Sequence, residues 1–219
     1  MHVLIIGGSG RTGKLVIDEL QRRDCQVTAL VRDQTALNDF EKVEIITGTP
    51  TKLDDVRSAF RNNKPDVVIV TLNARRASDS PFAAVISPPR FMADCNANVV
   101  ASMKEFGVEK LVIMQAFGVG ASWPNMSCIL RTMMSKSNMI YQYEDHNHTD
   151  REVRESGVTF VLVRPSRLVE SDDVTVREWP DNGKGVGLMG SASRKSVAKF
   201  LVDAAIESKW DNTAPVITN

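Results

Sequence analysis

The residues His2-Val3-Leu4-Ile5-Ile6 form a short apolar run that passes without interruption into Gly7-Gly8-Ser9-Gly10-Arg11-Thr12-Gly13, and from there into the helical spacing of Lys14 to Arg23. A strand, a glycine turn and a helix in immediate succession restrict a chain to few arrangements. The foremost is the βαβ unit that cradles a dinucleotide phosphate. The demand is close approach: Gly7 permits the tight turn, Gly10 lets backbone N–H groups near a pyrophosphate, and Gly13 lets the helix pack on the strand with its N-terminus toward the anion. A purely structural turn uses the same glycines, so the neighbouring residues decide.

A second strand, Gln26 to Val31, ends one crossover later in Arg32. The fingerprint for NAD expects an acid at this point, to hold the ribose hydroxyls. This chain offers a cation at Arg32 and another inside the turn at Arg11. That pattern favours a 2′-phosphate and hence NADP(H). Asp33 keeps the other reading open, because a shift of one residue puts a carboxylate at the sugar.

The remaining chain continues the alternation. Val43 to Ile46 reads as a third strand and Asp66 to Thr71 as a fourth, with Leu53, Val56 and Phe60 at helical spacing between them. A helix from Arg90 to Phe106, stopped by Gly107, leads to strand Lys110 to Met114. Another from Glu144 to Ser156, stopped by Gly157, leads to strand Val158 to Val163. A last helix, Arg194 to Glu207, precedes the apolar tail Pro215-Val216-Ile217. Apolar strands without strict alternation imply an α/β, doubly wound, mostly parallel Rossmann-like sheet with helices on both faces.

The 219 residues carry no internal repeat or low-complexity linker, which predicts a single domain over 1–219. Lys+Arg and Asp+Glu both number 27, and no basic stripe tracks a nucleic-acid backbone, so nucleic acid is not an expected partner. Neither a secretion signal nor an apolar span of about twenty residues is visible, so no membrane association and a cytoplasmic setting are expected. Cys25, Cys95 and Cys128 lack ligand spacing, and no metal is expected. The expected assembly is a monomer or homodimer.

Several segments together resemble the NmrA-like branch of the atypical short-chain dehydrogenases. They are Gly7-x-x-Gly10-x-x-Gly13, Val31-Arg32-Asp33, Asn98 to Lys104 with Gly107-Val108-Glu109-Lys110, Gln115 to Gly120, Glu144-Asp145-His146, and Glu155-Ser156-Gly157 before Val163-Arg164-Pro165. The resemblance runs over nearly the whole chain. It implies NAD(P) contact by Gly10, Arg11, Thr12, Gly13 and Arg32, and by the strand-end segment Thr71 to Arg75, including Leu72 and Arg75. It also places Pro165 beside the nicotinamide, with Arg164 or Arg167 near polar groups. Two departures stand out. Gln115 occupies the place of a serine, and the Tyr-x-x-x-Lys pair is missing, since Tyr141 is followed at that spacing by Asp145 and Tyr143 by Asn147.

His146 is the most chemically suggestive side chain, read as lying in the first turn of its helix. A group exchanging protons near neutrality there can protonate a substrate as hydride arrives, with Asp145 influencing its charge; equally, His146 can merely orient the helix. Gln115 is expected to orient the acceptor, and Tyr141 joins these two as a candidate catalytic residue. Residues 121–143 carry Trp123, Met126, Met133, Met134, Met139, Tyr141 and Tyr143, which read either as a pocket for an apolar or aromatic small molecule or as a core cover. Residues 170–190, with Trp179-Pro180 and Gly183 to Gly187, are a second candidate wall. Three functions follow: an NADPH-dependent reductase of a conjugated or aromatic substrate, a non-redox biosynthetic enzyme on the same fold, or an NADP(H)-sensing regulator.

Overall fold

The computed structural model describes residues 1–219. Its main sheet has eight strands in the order β3-β2-β1-β4-β5-β6-β10-β8. These are β1 (His2–Ile6), β2 (Gln26–Val31), β3 (Val43–Thr47), β4 (Val67–Val70), β5 (Lys110–Met114), β6 (Thr159–Pro165), β8 (Arg177–Trp179) and β10 (Val216–Thr218). All neighbours pair in parallel except β8, which runs antiparallel to β10. A separate parallel pair joins β7 (Arg167–Val169) to β9 (Ser191–Ser193).

Alternation along β1 builds both layers. Val3 and Ile5 point into a core shared with Val16, Ile17 and Leu20 of α1 (Arg11–Arg22) and with Val197 and Leu201 of α6 (Arg194–Ile206). Leu4 and Ile6 point to the opposite face. There they meet Val56 and Phe60 of α2 (Leu53–Arg61), Val99 and Met103 of α3 (Phe91–Phe106) and Val153 of α5 (Met139–Glu155). All four β1 side chains are buried, each contributing about 1.5–3 kcal/mol. The two-sided burial is why the strands read as continuous apolar runs.

Beyond β5 the structure departs from the expected pattern. α5 starts at Met139, not Glu144, which moves His146 out of the first turn and into the helix body. Between them lie a 3-10 segment at Gly120–Asn125 and α4 (Cys128–Ser135). Met126, Met134 and Tyr143 form a small second core with Phe117, Val119 and Val216, and Trp123 and Met139 pack against it. The reading of this segment as a core cover therefore holds for these five residues, while Met133 and Tyr141 remain exposed. The glycine run beginning at Gly183 also serves this core. Gly183 lies against the Phe117 ring and Gly185 against Trp179, and no residue of 170–190 lines the main cleft. No helix is long and apolar enough to cross a membrane.

Candidate cofactor cleft

Strand order reverses direction between β1 and β4, and a crevice opens beyond the carboxyl ends of the strands at such a switch point. Thr71, immediately after β4, ties its two sides together. Its backbone N–H donates to Ile6 O at 2.8 Å and its Oγ1 to Gly7 O at 3.1 Å. The cleft there has a volume of about 470 Å³.

The glycine turn is built for a ligand backbone rather than for side chains. Gly7 sits at φ +93°, and a Cβ there would lie 2.8 Å from Thr71 Oγ1; one on Gly13 would lie 2.2 Å from Gly7 O. Gly10 provides no side-chain cap for α1 and no acid occupies the first turn. Lys14 N–H, donating to Gly10 O at 2.9 Å, is the first in the helix to find an acceptor, so the N–H groups of Arg11, Thr12 and Gly13 are left for an anion in the cleft. A dinucleotide pyrophosphate fits this set of donors, which would hold it by backbone bonds and helix dipole.

Of the nine residues expected to contact the cofactor, Gly7, Gly10, Arg11, Thr12, Gly13, Arg32, Leu72 and Arg75 line this cleft, whereas Pro165 does not. Pro165 is the last residue of β6, paired with Ile217, and its carbonyl accepts from Phe117 N–H at 2.9 Å. Asp33 is also absent from the lining. Its carboxylate caps the turn at Gln34–Leu37, accepting from Thr35 N at 2.9 Å and Thr35 Oγ1 at 2.7 Å, and these bonds hold its pKa below the usual carboxylate value. The loop after β3 closes the Arg32 end with Gly48, Thr49 and Pro50, where Thr49 N–H donates to Asp55 at 2.9 Å.

Four arginines face the cleft, at positions 11, 32, 75 and 194, and no carboxylate does. Arg11 pairs with Asp79 at 3.6 Å and Arg194 with Glu170 at 2.6 Å, both carboxylates outside the lining, whereas Arg32 and Arg75 make no ion pair, so the cleft keeps a local excess of positive charge in a formally neutral chain. The sequence reading gives no site role to Arg194, Phe91 or Leu168, which with Met114 complete this side of the cleft, the last three as apolar walls. They come from four elements distant in sequence, and none carries a local motif.

The three candidate catalytic residues lie elsewhere. His146 is buried and does not line the cleft; burial, with the Arg164 guanidinium nearby, pulls its pKa down to about 4. It is therefore neutral at neutral pH, contrary to the expectation of a group exchanging protons there. Gln115, also buried, accepts from Arg164 Nε and donates to His146 O, both at 3.4 Å. Arg164 is held by Asp150 and by the Asp181 carbonyl, not aimed at the cleft. Asp145 accepts from Met92 N at 2.8 Å and Ala93 N at 2.9 Å, so it caps α3 rather than tuning His146.

Tyr141 is exposed on a second cavity of about 430 Å³, bounded by the α5 face Tyr141, Glu144, Asp145 and His148 and by the loop carrying Pro88 to Arg90. Ser87 and Pro88 line both cavities. Ser87 is fixed there by accepting Arg75 N–H on its Oγ at 2.7 Å.

Residues 7–208 match the NAD(P)H-binding family, and the chain belongs to it. An uncharacterized chloroplastic protein of Arabidopsis thaliana is 24% identical over 212 residues, covering 94% of this chain and 72% of that one. Among solved structures, ChuY, an anaerobillin reductase from Escherichia coli O157:H7, superposes with a TM-score of 0.80 at 16% identity, covering 100% of this chain and 97% of that one. A short-chain dehydrogenase/reductase from Veillonella parvula in complex with NADP gives 0.78 at 15% identity, covering 100% and 94%. These likenesses show a shared fold.

Proposed function

We propose that the protein is an NADPH-dependent reductase of a small conjugated or aromatic substrate. The observation that carries this reading is the cleft with four arginines and no carboxylate, built on a glycine turn with free helix N–H groups. NADP(H) brings a pyrophosphate and a 2′-phosphate, the latter alone carrying a charge of roughly −2, and Arg11 and Arg32 are the cations for that 2′-phosphate. When bound, the cofactor supplies hydride.

The chain's own residues supply position. Met114, Leu168, Phe91 and Ile86 offer apolar contact to a flat acceptor, and the neighbouring cavity beside Tyr141 leaves room for its extension. The cleft lining contains no His, Tyr, Cys, Lys, Asp or Glu, so the proton that completes reduction comes from water. The structural likeness to an anaerobillin reductase supports a bulky conjugated acceptor.

Stopped-flow absorbance with bound NADPH and a panel of quinones, flavins, tetrapyrroles and enones tests the proposal. Oxidation of NADPH by at least one acceptor is expected. Tight NADPH binding with no acceptor reduced would contradict it. The second reading, a non-redox biosynthetic enzyme, draws on the same lack of a titratable donor in the cleft; product formed without NADPH consumption would distinguish it.

A further inference from the structure

Arg194 is the one cleft arginine with no place in the cofactor motif. It follows β9 directly as the first residue of α6, with Ser193 capping the helix by accepting Ser196 N–H at 2.9 Å. Its side chain is only 11% exposed although it borders the cleft. One donor, Nη1, is engaged by Glu170 at 2.6 Å; a guanidinium has five N–H groups, so most of its donor capacity is unspent. The pair with Glu170 fixes the guanidinium at the cleft rim and leaves its remaining N–H groups free to meet a ligand.

Its place in the fold indicates which part of a ligand it meets. α6 packs under β4, β5 and β6, and the β7–β9 pair that carries Arg194 also carries Leu168. Arg32 and the Gly48–Pro50 loop lie across β1, at the ends of β2 and β3. Arg194 therefore stands on the opposite side of the glycine turn from the 2′-phosphate site, beside Met114 and Leu168.

We propose that Arg194 binds an oxyanion on this side of the cleft, with Glu170 fixing the guanidinium. On the reductase reading, on which this inference rests, the oxyanion is either a carboxylate of the acceptor or the cofactor phosphate nearer the hydride. A fork of paired N–H donors suits either.

The test is calorimetric and needs no turnover. NADP+ is titrated into the wild-type protein, Arg194→Ala and Arg194→Lys; then 4-carboxybenzylideneacetone and its methyl ester are titrated into each protein saturated with NADP+. If the acceptor supplies the oxyanion, wild type prefers the acid over the ester by tenfold or more, and Arg194→Ala abolishes that preference while NADP+ affinity changes less than threefold. If the cofactor supplies it, Arg194→Ala weakens NADP+ tenfold or more, and Arg194→Lys, which keeps the charge, recovers part of the loss. NADP+ affinity and acid-to-ester ratio both within twofold of wild type in Arg194→Ala, with an unchanged far-ultraviolet circular dichroism spectrum, would overturn the proposal. Failure of wild type to bind NADP+ would instead remove the cofactor reading beneath it.

Discussion

Arg164 donates through Nη2 to Asp150 Oδ1 at 2.6 Å, joining the end of β6 to the middle of α5. The guanidinium side chain is 1% exposed and the carboxylate 13%. Asp150 also receives Arg154 at 3.1 Å, and Arg164 reaches the Asp181 carbonyl at 2.9 Å, so one ion pair connects helix, strand and the loop over the second core. Replacing Asp150 by Asn leaves a buried cation without its counter-charge. Urea unfolding of Asp150→Asn is expected to show a loss of about 3–5 kcal/mol. A loss under about 1 kcal/mol would mean that water or Asp181 already compensates the guanidinium.

His146 gives a pH signature in stability rather than in catalysis. Its folded pKa, about 4, lies below the unfolded value near 6.5, so below pH 6.5 the unfolded chain takes up a proton that the folded chain refuses. Its contribution is fully present above that pH and is lost as pH falls toward 4, a swing of roughly 3 kcal/mol. Denaturation midpoints measured from pH 7.5 to 4 should decline less steeply in His146→Gln than in wild type. Identical slopes would show that the ring is protonated, or reached by solvent, in the folded protein.

Gly13→Ala tests the close approach of α1 to the turn. A Cβ there would stand 2.2 Å from Gly7 O and 2.8 Å from Gly8 Cα, both backbone atoms that cannot swing aside. Overpacking of this kind costs typically about 1–3 kcal/mol, and the displaced turn no longer presents its N–H groups together. NADP+ binding is expected to fall by at least a hundredfold by titration, with the variant still folded. Unchanged affinity would mean that the turn is not the phosphate cradle.

How far the sequence discloses this molecule depends on the length over which a pattern repeats. The glycine turn and the strands β1, β2, β4 and β5 are legible because burial on both faces leaves an uninterrupted apolar run. Strands β7, β8 and β9 are three residues each, too short for any period to show, which hides Leu168; Arg194 is legible as a helix start, but its place on the cleft depends on β7–β9 pairing. The start of α5 is not legible because Met139 to Tyr143 supplies partners for the second core and reads locally as a loop with aromatics. His146 reads as catalytic by residue type; its burial depends on Arg164 and α5 meeting across the fold, which no local spacing reveals.

Asp33 marks the difference between two cofactors at one strand end. Since its carboxylate caps its own turn and stands outside the cleft, Asp33→Asn should leave the ratio of NADP+ to NAD+ affinity within twofold of wild type in paired titrations. A loss of NAD+ affinity alone would place Asp33 on a ribose.

The arginine-lined cleft makes its most direct commitment in the choice between NADP+ and NAD+, measured by calorimetric titration of the wild-type protein at two salt concentrations. Arg11 and Arg32 acting on the 2′-phosphate, each contact worth roughly 1.5–3 kcal/mol before desolvation, predict at least a tenfold preference for NADP+. Screening should narrow that preference at high salt, and Arg32→Ala should weaken NADP+ far more than NAD+. Equal affinity for the two cofactors, or an advantage for NAD+, would contradict the account.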